Sequence, residues 1–177
     1  MILGVTGLAR CGKDTFADFL VKSYNFTKLN MSDCLRDELI ATSKDPSKGN
    51  MSILGDEWRA KWGYDIVIRR TLENASKLDK VIITGFRSVE EVEFMRGNSN
   101  NFQLIAIVAS DETRFSRRTP DDPQDFDTFI SRDRKDIQRK GLDRVLALAD
   151  HVIENDSMGW EIHEKAEEFM GELDGCL

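Results

Sequence analysis

The stretch Met1-Ile2-Leu3-Gly4-Val5-Thr6-Gly7-Leu8-Ala9-Arg10-Cys11-Gly12-Lys13-Asp14-Thr15 decides how the rest of the chain reads. Met1–Val5 is a short apolar run of the kind a buried strand shows. Gly7–Lys13 fits the spacing G-x-x-x-x-G-K, and a helix follows from about Lys13 to Ser23, with Phe16, Phe19 and Leu20 on one face. Strand, glycine turn and helix in that order make an anion cradle. The glycines let successive N–H groups point inward, and the helix N-terminus adds about half a positive charge. Lys13 then reaches the β- and γ-phosphates of a bound nucleotide. The expected cofactor-binding residues are therefore Gly7, Ala9, Arg10, Cys11, Gly12, Lys13, Asp14 and Thr15.

One position departs from the usual pattern. The hydroxyl residue that normally follows the lysine is Asp14 here. A carboxylate is also a hard oxygen ligand of the kind Mg²⁺ takes, so Asp14 is the expected metal ligand.

Outward from this loop, strands alternate with helices. Phe26–Asn30 reads as a second, weaker strand, followed by a helix to about Ser43 that Ser32 or Asp33 caps. Lys44–Asn50 (KDPSKGN) is a polar Pro/Gly loop, and helices are expected over Ser52–Trp62 and Tyr64–Leu78. Val81–Ile83 and Leu104–Ala109 are continuous apolar runs typical of central parallel strands. Ser88 and Glu91 form a capping box for a helix through Arg96, and Asp111 is the next expected cap. A charged helix spans about Gln124–Lys140, a short one Asp143–Ala149, and His151–Ile153 is the last strand. The tail from Trp160 to Leu173 carries Ile162, Ala166, Phe169 and Leu173 on one stripe. Such alternation predicts right-handed βαβ crossovers and a largely parallel sheet, with ligands beyond the carboxyl ends of its strands.

Composition narrows the function classes. At 177 residues the chain fits one domain. A net charge of −7 argues against nucleic acid as a partner, and no run approaches the ~20 apolar residues of a membrane span. Cys11, Cys34 and Cys176 show neither metal-site nor disulfide spacing, which points to a reducing cytoplasm. His151 and His163 show no ligand spacing, and Trp58, Trp62 and Trp160 read as core or helix-packing residues.

Against this acidic background, phosphate recognition falls to local arginines. Arg36, in Ser32-Asp33-Cys34-Leu35-Arg36 after the second strand, either forks an acceptor phosphate or lies on the helix surface. Arg87 ends the central strand and is expected to hold a second phosphate, the alternative being a pair with Glu90 or Glu91. Thr84 occupies the place where many phosphate-loop enzymes keep a metal-organising aspartate. Arg114, Arg117, Arg118, Arg132 and Arg134 lie in and around the break Arg117–Pro123 (RRTPDDP), the composition either of a lid whose arginines stabilise a transferring phosphoryl group or of a solvated helical hairpin with internal ion pairs. Asn155, after the last strand, contacts an adenine edge or simply forms the turn.

The segments GLARCGKDT, SDCLR and TGFRS, in this order and at these intervals, resemble adenylate kinases and their relatives. ITGFRSVEEVEFMR, IVASDETRF, RDRKD and ALADHVIENDS resemble the archaeal adenylate-kinase-related, dephospho-CoA-kinase-like proteins, and GKDT is similar to phage-type deoxynucleoside monophosphate kinases. The resemblance covers nearly the whole chain. It implies a three-layer α/β P-loop NTPase fold with a parallel five-stranded sheet flanked by helices, a small helical lid at about 112–140 and an acceptor-binding helical region at about 32–78. It further implies ATP and Mg²⁺ as cofactors, a small phosphorylated acceptor bound by Asp33, Arg36 and Arg87, and Lys13, Arg117 and Arg118 as catalytic residues. The expected activity is phosphoryl transfer from ATP to a nucleoside monophosphate or similar acceptor, by a cytoplasmic monomer or small homo-oligomer. Dephospho-CoA kinase and a non-catalytic nucleotide-binding regulator are the alternatives, the second favoured by Asp14 and Thr84.

Overall fold

The computed structural model describes residues 1–73, 79–157 and 159–175. Leu78, the expected end of one helix, and Cys176 lie outside the described residues.

Five strands form one sheet among the described residues: β1 (Ile2–Thr6), β2 (Thr27–Asn30), β3 (Val81–Thr84), β4 (Phe102–Val108) and β5 (His151–Glu154), in the order β2-β3-β1-β4-β5. Every pairing is parallel, with Ile2 opposite both Val81 and Phe102, and Ile105 opposite His151. All five carboxyl ends therefore open on one edge, with the phosphate-loop strand in the middle. This is the expected α/β architecture.

Alternation along the strands builds two cores. Leu3, Val5, Ile82, Ile105, Ile107 and Ile153 face one side, against α1 (Lys13–Tyr24) and α9 (Glu161–Gly175). Val81, Ile83, Phe102 and Leu104 face the other, with α2 (Met31–Ala41), α3 (Lys48–Trp62), α4 (Ile66–Leu72), α5 (Val89–Asn98) and α8 (Leu142–Ala147). The expected stripe of α9 is borne out, since Ile162, Ala166, Phe169 and Leu173 are all buried. α6 (Asp111–Ser116), the RRTPDDP break and α7 (Phe126–Lys140) fill the segment expected to form a lid.

Several helix starts differ from expectation, each for a local reason. α2 begins directly at the end of β2, so Asn30 is its cap position, and Ser32 and Asp33 fall inside the first turn. α3 begins at Lys48 because the Ser47 hydroxyl accepts the Asn50 N–H, which shortens the polar loop Lys44–Asn50. Ser110 rather than Asp111 caps α6, and Asp125 caps α7. The Ser88–Glu91 capping box is present as read. Trp58 is core, but Trp62 is 45% and Trp160 62% exposed. Trp62 ends α3 with the Lys61 ammonium over its ring, and Trp160 precedes the first turn of α9.

Candidate functional site

β1 delivers Thr6 to the edge of the sheet, where its hydroxyl donates to the Phe86 carbonyl at 3.1 Å. At Gly7, φ is +150°, and a Cβ would stand 2.4 Å from the Ile107 carbonyl oxygen and 2.6 Å from Cys11 Sγ. At Gly12, φ is +100°, and a Cβ would stand 2.2 Å from Asn155 Nδ2. Each glycine is thus required twice, by conformation and by close approach. Arg10 between them adopts φ +66°, the left-handed region that non-glycine residues rarely enter. The result is a loop wrapped around the start of α1.

Lys13 opens α1 and lines a pocket with Thr6, Gly7, Leu8, Ala9, Gly85, Phe86, Arg87 and Leu142. Lys13 and Arg87, assigned to separate phosphates from the sequence, therefore face one space. The backbone around Arg87 is fixed from behind. The Glu91 carboxylate, fully buried, accepts the N–H of Arg87 at 2.8 Å and of Ser88 at 3.1 Å, and takes the Arg59 guanidinium at 3.0 Å. Burial pushes the Glu91 carboxyl up against the opposing pull of Arg59.

Arg36 is placed differently. It is exposed and donates to Asp33 one turn earlier, so these two expected acceptor ligands compensate each other. Asp33 also accepts from Asn30 Nδ2 at 3.0 Å, and Asn30 Oδ1 accepts the Thr84 hydroxyl at 2.7 Å. The place of the absent strand-end aspartate is thus joined by hydrogen bonds to a carboxylate on α2.

Asn155 is buried, and its Nδ2 donates to the Cys11 carbonyl at 2.8 Å. The absence of a side chain at Gly12 makes room for this amide. The expected contact to an adenine edge is therefore not where the side chain lies; it braces the loop from below. Arg117 joins it, donating to the Cys11 carbonyl at 3.5 Å and to the Ser157 carbonyl. Arg118 folds over the Phe115 ring, 4.0 Å from its centroid, and donates to Gln124 Oε1 and the Phe115 carbonyl. Neither arginine lines the pocket.

The buried cation of this region is Arg114, 1% exposed. It donates to Asp133 at 2.6 Å, to Asp111 at 2.5 Å and to the Ala9 carbonyl at 3.2 Å. Arg10 reaches across to Asp122 at 2.6 Å and to the Thr119 hydroxyl at 2.7 Å, while Arg132 takes the other Asp122 oxygen at 2.7 Å. Burial disfavours the charged form of Asp122, yet the Thr119 N–H and the guanidinium groups of Arg132 and Arg10 hold it far below the usual carboxylate range. Arg10, Arg114 and Arg117 therefore make three ties between the loop and the segment 112–140.

Asp14 and Thr15 point outward from the first turn of α1. The Asp14 carboxylate lies 3.8 Å from Lys13 Nζ and 3.3 Å from Lys28 Nζ on β2. Burial lifts the Cys11 thiol above its usual range, so the neutral thiol packs under the loop, with no sign of a nucleophile. Sequence reading missed Lys28, Arg59, Asp133 and the double duty of Glu91. Spacing carries no signal for the first three, because their partners come from other elements.

The AAA domain family matches residues 6–145. A UPF0200 protein of Methanothermobacter thermautotrophicus is 28% identical over 98% of this chain and 90% of its own length. One from Pyrobaculum aerophilum is 32% identical over 90% of each. Among solved structures, the shikimate kinase of Bacteroides thetaiotaomicron superposes with a TM-score of 0.67 over 98% of both chains at 14% identity. The shikimate kinase of Aquifex aeolicus gives 0.58 over 99% of this chain and 97% of its own at 16% identity. At such identities the likeness is one of fold: the chain shares the three-layer α/β architecture of these two proteins. The chain belongs to the AAA-domain family, and UPF0200 proteins are among its relatives.

Proposed function

We propose that this protein binds ATP at the loop Gly7–Thr15 and transfers its terminal phosphoryl group to a small phosphorylated, nucleotide-like acceptor at the Arg87 side of the pocket. The observation that carries the reading is the pocket itself, in which Lys13 at a helix N-terminus and Arg87 at the end of β3 face the same space. Donor and acceptor phosphates held there meet without crossing open solvent. Most of the rate comes from positioning and charge compensation, as phosphoryl transfer demands. Lys13 neutralises the β- and γ-oxygens while the loop N–H groups orient them. Arg117 and Arg118 act by exchanging their present carbonyl partners for oxygens of the transferring group as segment 112–140 closes. Asp33 and Arg36 serve the acceptor from α2.

Mg²⁺ typically keeps one or two carboxylates plus phosphate oxygens, so a single carboxylate at Asp14 suits its chemistry. Among the described residues no cluster of three or more metal-ligating side chains exists, which leaves the remaining ligands to nucleotide and water. When bound, the ion supplies charge neutralisation on the phosphates.

A panel of nucleoside monophosphates and dephospho-CoA, assayed for ADP release, tests this function. Release with at least one acceptor is expected; none on the whole panel favours a nucleotide-binding regulator that transfers nothing. Lys13→Ala should weaken ATP at least tenfold by calorimetry, a loss of about 1.4 kcal/mol. Unchanged affinity would remove the loop from the mechanism. Arg87→Ala and Arg36→Ala should each raise the acceptor KM while ATP affinity stays within about twofold. Equal damage to ATP binding would mean that the two phosphate sites are one.

A further inference from the structure

α1 presents two carboxylates to β2. Asp14 and Asp18 are four residues apart and lie on one helix face. Lys28, on β2, meets both, with Nζ 2.9 Å from Asp18 Oδ1 and 3.3 Å from Asp14 Oδ1. The two carboxylate side chains are 61% and 67% exposed, but that of Lys28 is only 18% exposed. A lysine held inward between two outward-facing acids is a placed charge rather than a solvated one.

The charges at the loop explain what such a lysine does. Asp14 lies 3.8 Å from the ammonium of Lys13, the group assigned to the phosphates. A carboxylate there offsets the attraction of Lys13 for a polyanion, a problem that the usual hydroxyl residue does not create. We propose that Lys28 is a positioning residue for the phosphate loop: held by Asp18, it neutralises Asp14 and so permits polyphosphate to bind before any divalent cation does. This rests on the nucleotide reading of the loop given above. Lys28 and a divalent cation are then alternative partners of one carboxylate. Losing Lys28 weakens metal-free nucleotide and steepens the dependence of binding on Mg²⁺.

A double-mutant cycle on the full chain tests this, with ATP binding measured by calorimetry in EDTA and across a Mg²⁺ titration. Lys28→Met should weaken metal-free ATP about tenfold, and saturating Mg²⁺ should recover most of the loss. Lys28→Arg, which keeps the charge, should bind within about threefold of the unmodified protein. In an Asp14→Ser background the Lys28→Met change should alter ATP affinity less than about twofold, because the carboxylate beside Lys13 is gone and Asp18 lies a helical turn farther along α1. An equal loss in both backgrounds, or a loss that Mg²⁺ does not relieve, overturns the proposal. So does an unaltered affinity. Thermal melting of each variant separates a fold defect from a binding effect, and Lys28→Gln replaces Lys28→Met if the latter melts early. If the unmodified protein binds no ATP at all, the nucleotide reading itself fails, a result distinct from a failed cycle.

Discussion

Glu91→Ala is expected to lower stability by about 3–5 kcal/mol, the range for breaking a buried ion pair from one side. The change leaves the Arg59 guanidinium, 12% exposed, with the more distant Asp56 at 3.9 Å as its carboxylate among the described residues. It also orphans the N–H groups of Arg87 and Ser88, which the carboxylate accepts. For a chain of this size each kcal/mol shifts Tm by roughly 2–4 °C, so a fall of about 10 °C should appear in a thermal melt. Glu91→Gln keeps an acceptor for the two N–H groups and should lose less. Because the same carboxylate fixes the backbone of Arg87, Glu91→Ala should also raise the acceptor KM more than it weakens ATP, and Glu91→Gln less so. A melt unchanged by Glu91→Ala would show that the pair carries no net stability.

The second large effect belongs to Arg114→Met, expected to cost about 3–5 kcal/mol for the same physical reason. Asp133, with a side chain 6% exposed, would keep its burial and lose its cation. Burial already pushes the Asp133 carboxyl above the usual carboxylate range even with Arg114 beside it. A carboxyl raised in the folded state binds its proton more tightly folded than unfolded, so acidification favours the fold. Removing Arg114 strengthens that upward push. The stability deficit of Arg114→Met should therefore be larger at neutral pH than in mild acid, read as denaturant midpoints at the two pH values. Asp133→Leu added to Arg114→Met should recover a substantial part of the deficit, since an apolar pair replaces a stranded charge. The single change should also weaken ATP, because the Ala9 carbonyl loses its donor.

What the sequence disclosed was what depends on near neighbours. The strand–loop–helix over residues 1–24, the capping box at Ser88 and the stripe of α9 all follow from residues within a few positions of one another. The parallel sheet follows from apolar runs alternating with helices. Arg114 and Arg118 show where this kind of reading stops. Both sit in one arginine-rich stretch, yet one is buried against Asp133 and the other packs over Phe115. Nothing in their spacing separates them, because the difference lies in what α7 brings opposite. Asn155 is similar: a polar residue after a strand is an ordinary turn former until a glycine on a distant loop leaves room for its amide. The pairing of Arg36 with Asp33 needed only a three-residue spacing, but the same spacing also suits an arginine turned toward the cleft.

The bond from Asn155 to the Cys11 carbonyl closes 144 residues of chain. Its consequence concerns time. The glycine loop is synthesised well before the amide that braces it. β5, which carries Asn155 to the site, pairs among the described residues with β4 alone, at the sheet edge, so that brace cannot form until the edge strand docks. Pairings of this separation close late, after local helices and central strands have formed. A nascent chain halted before residue 151 would display the loop sequence without its shape. Nucleotide would then select for completed molecules, and pulse-labelled refolding should show ATP retention arising together with protection of β5.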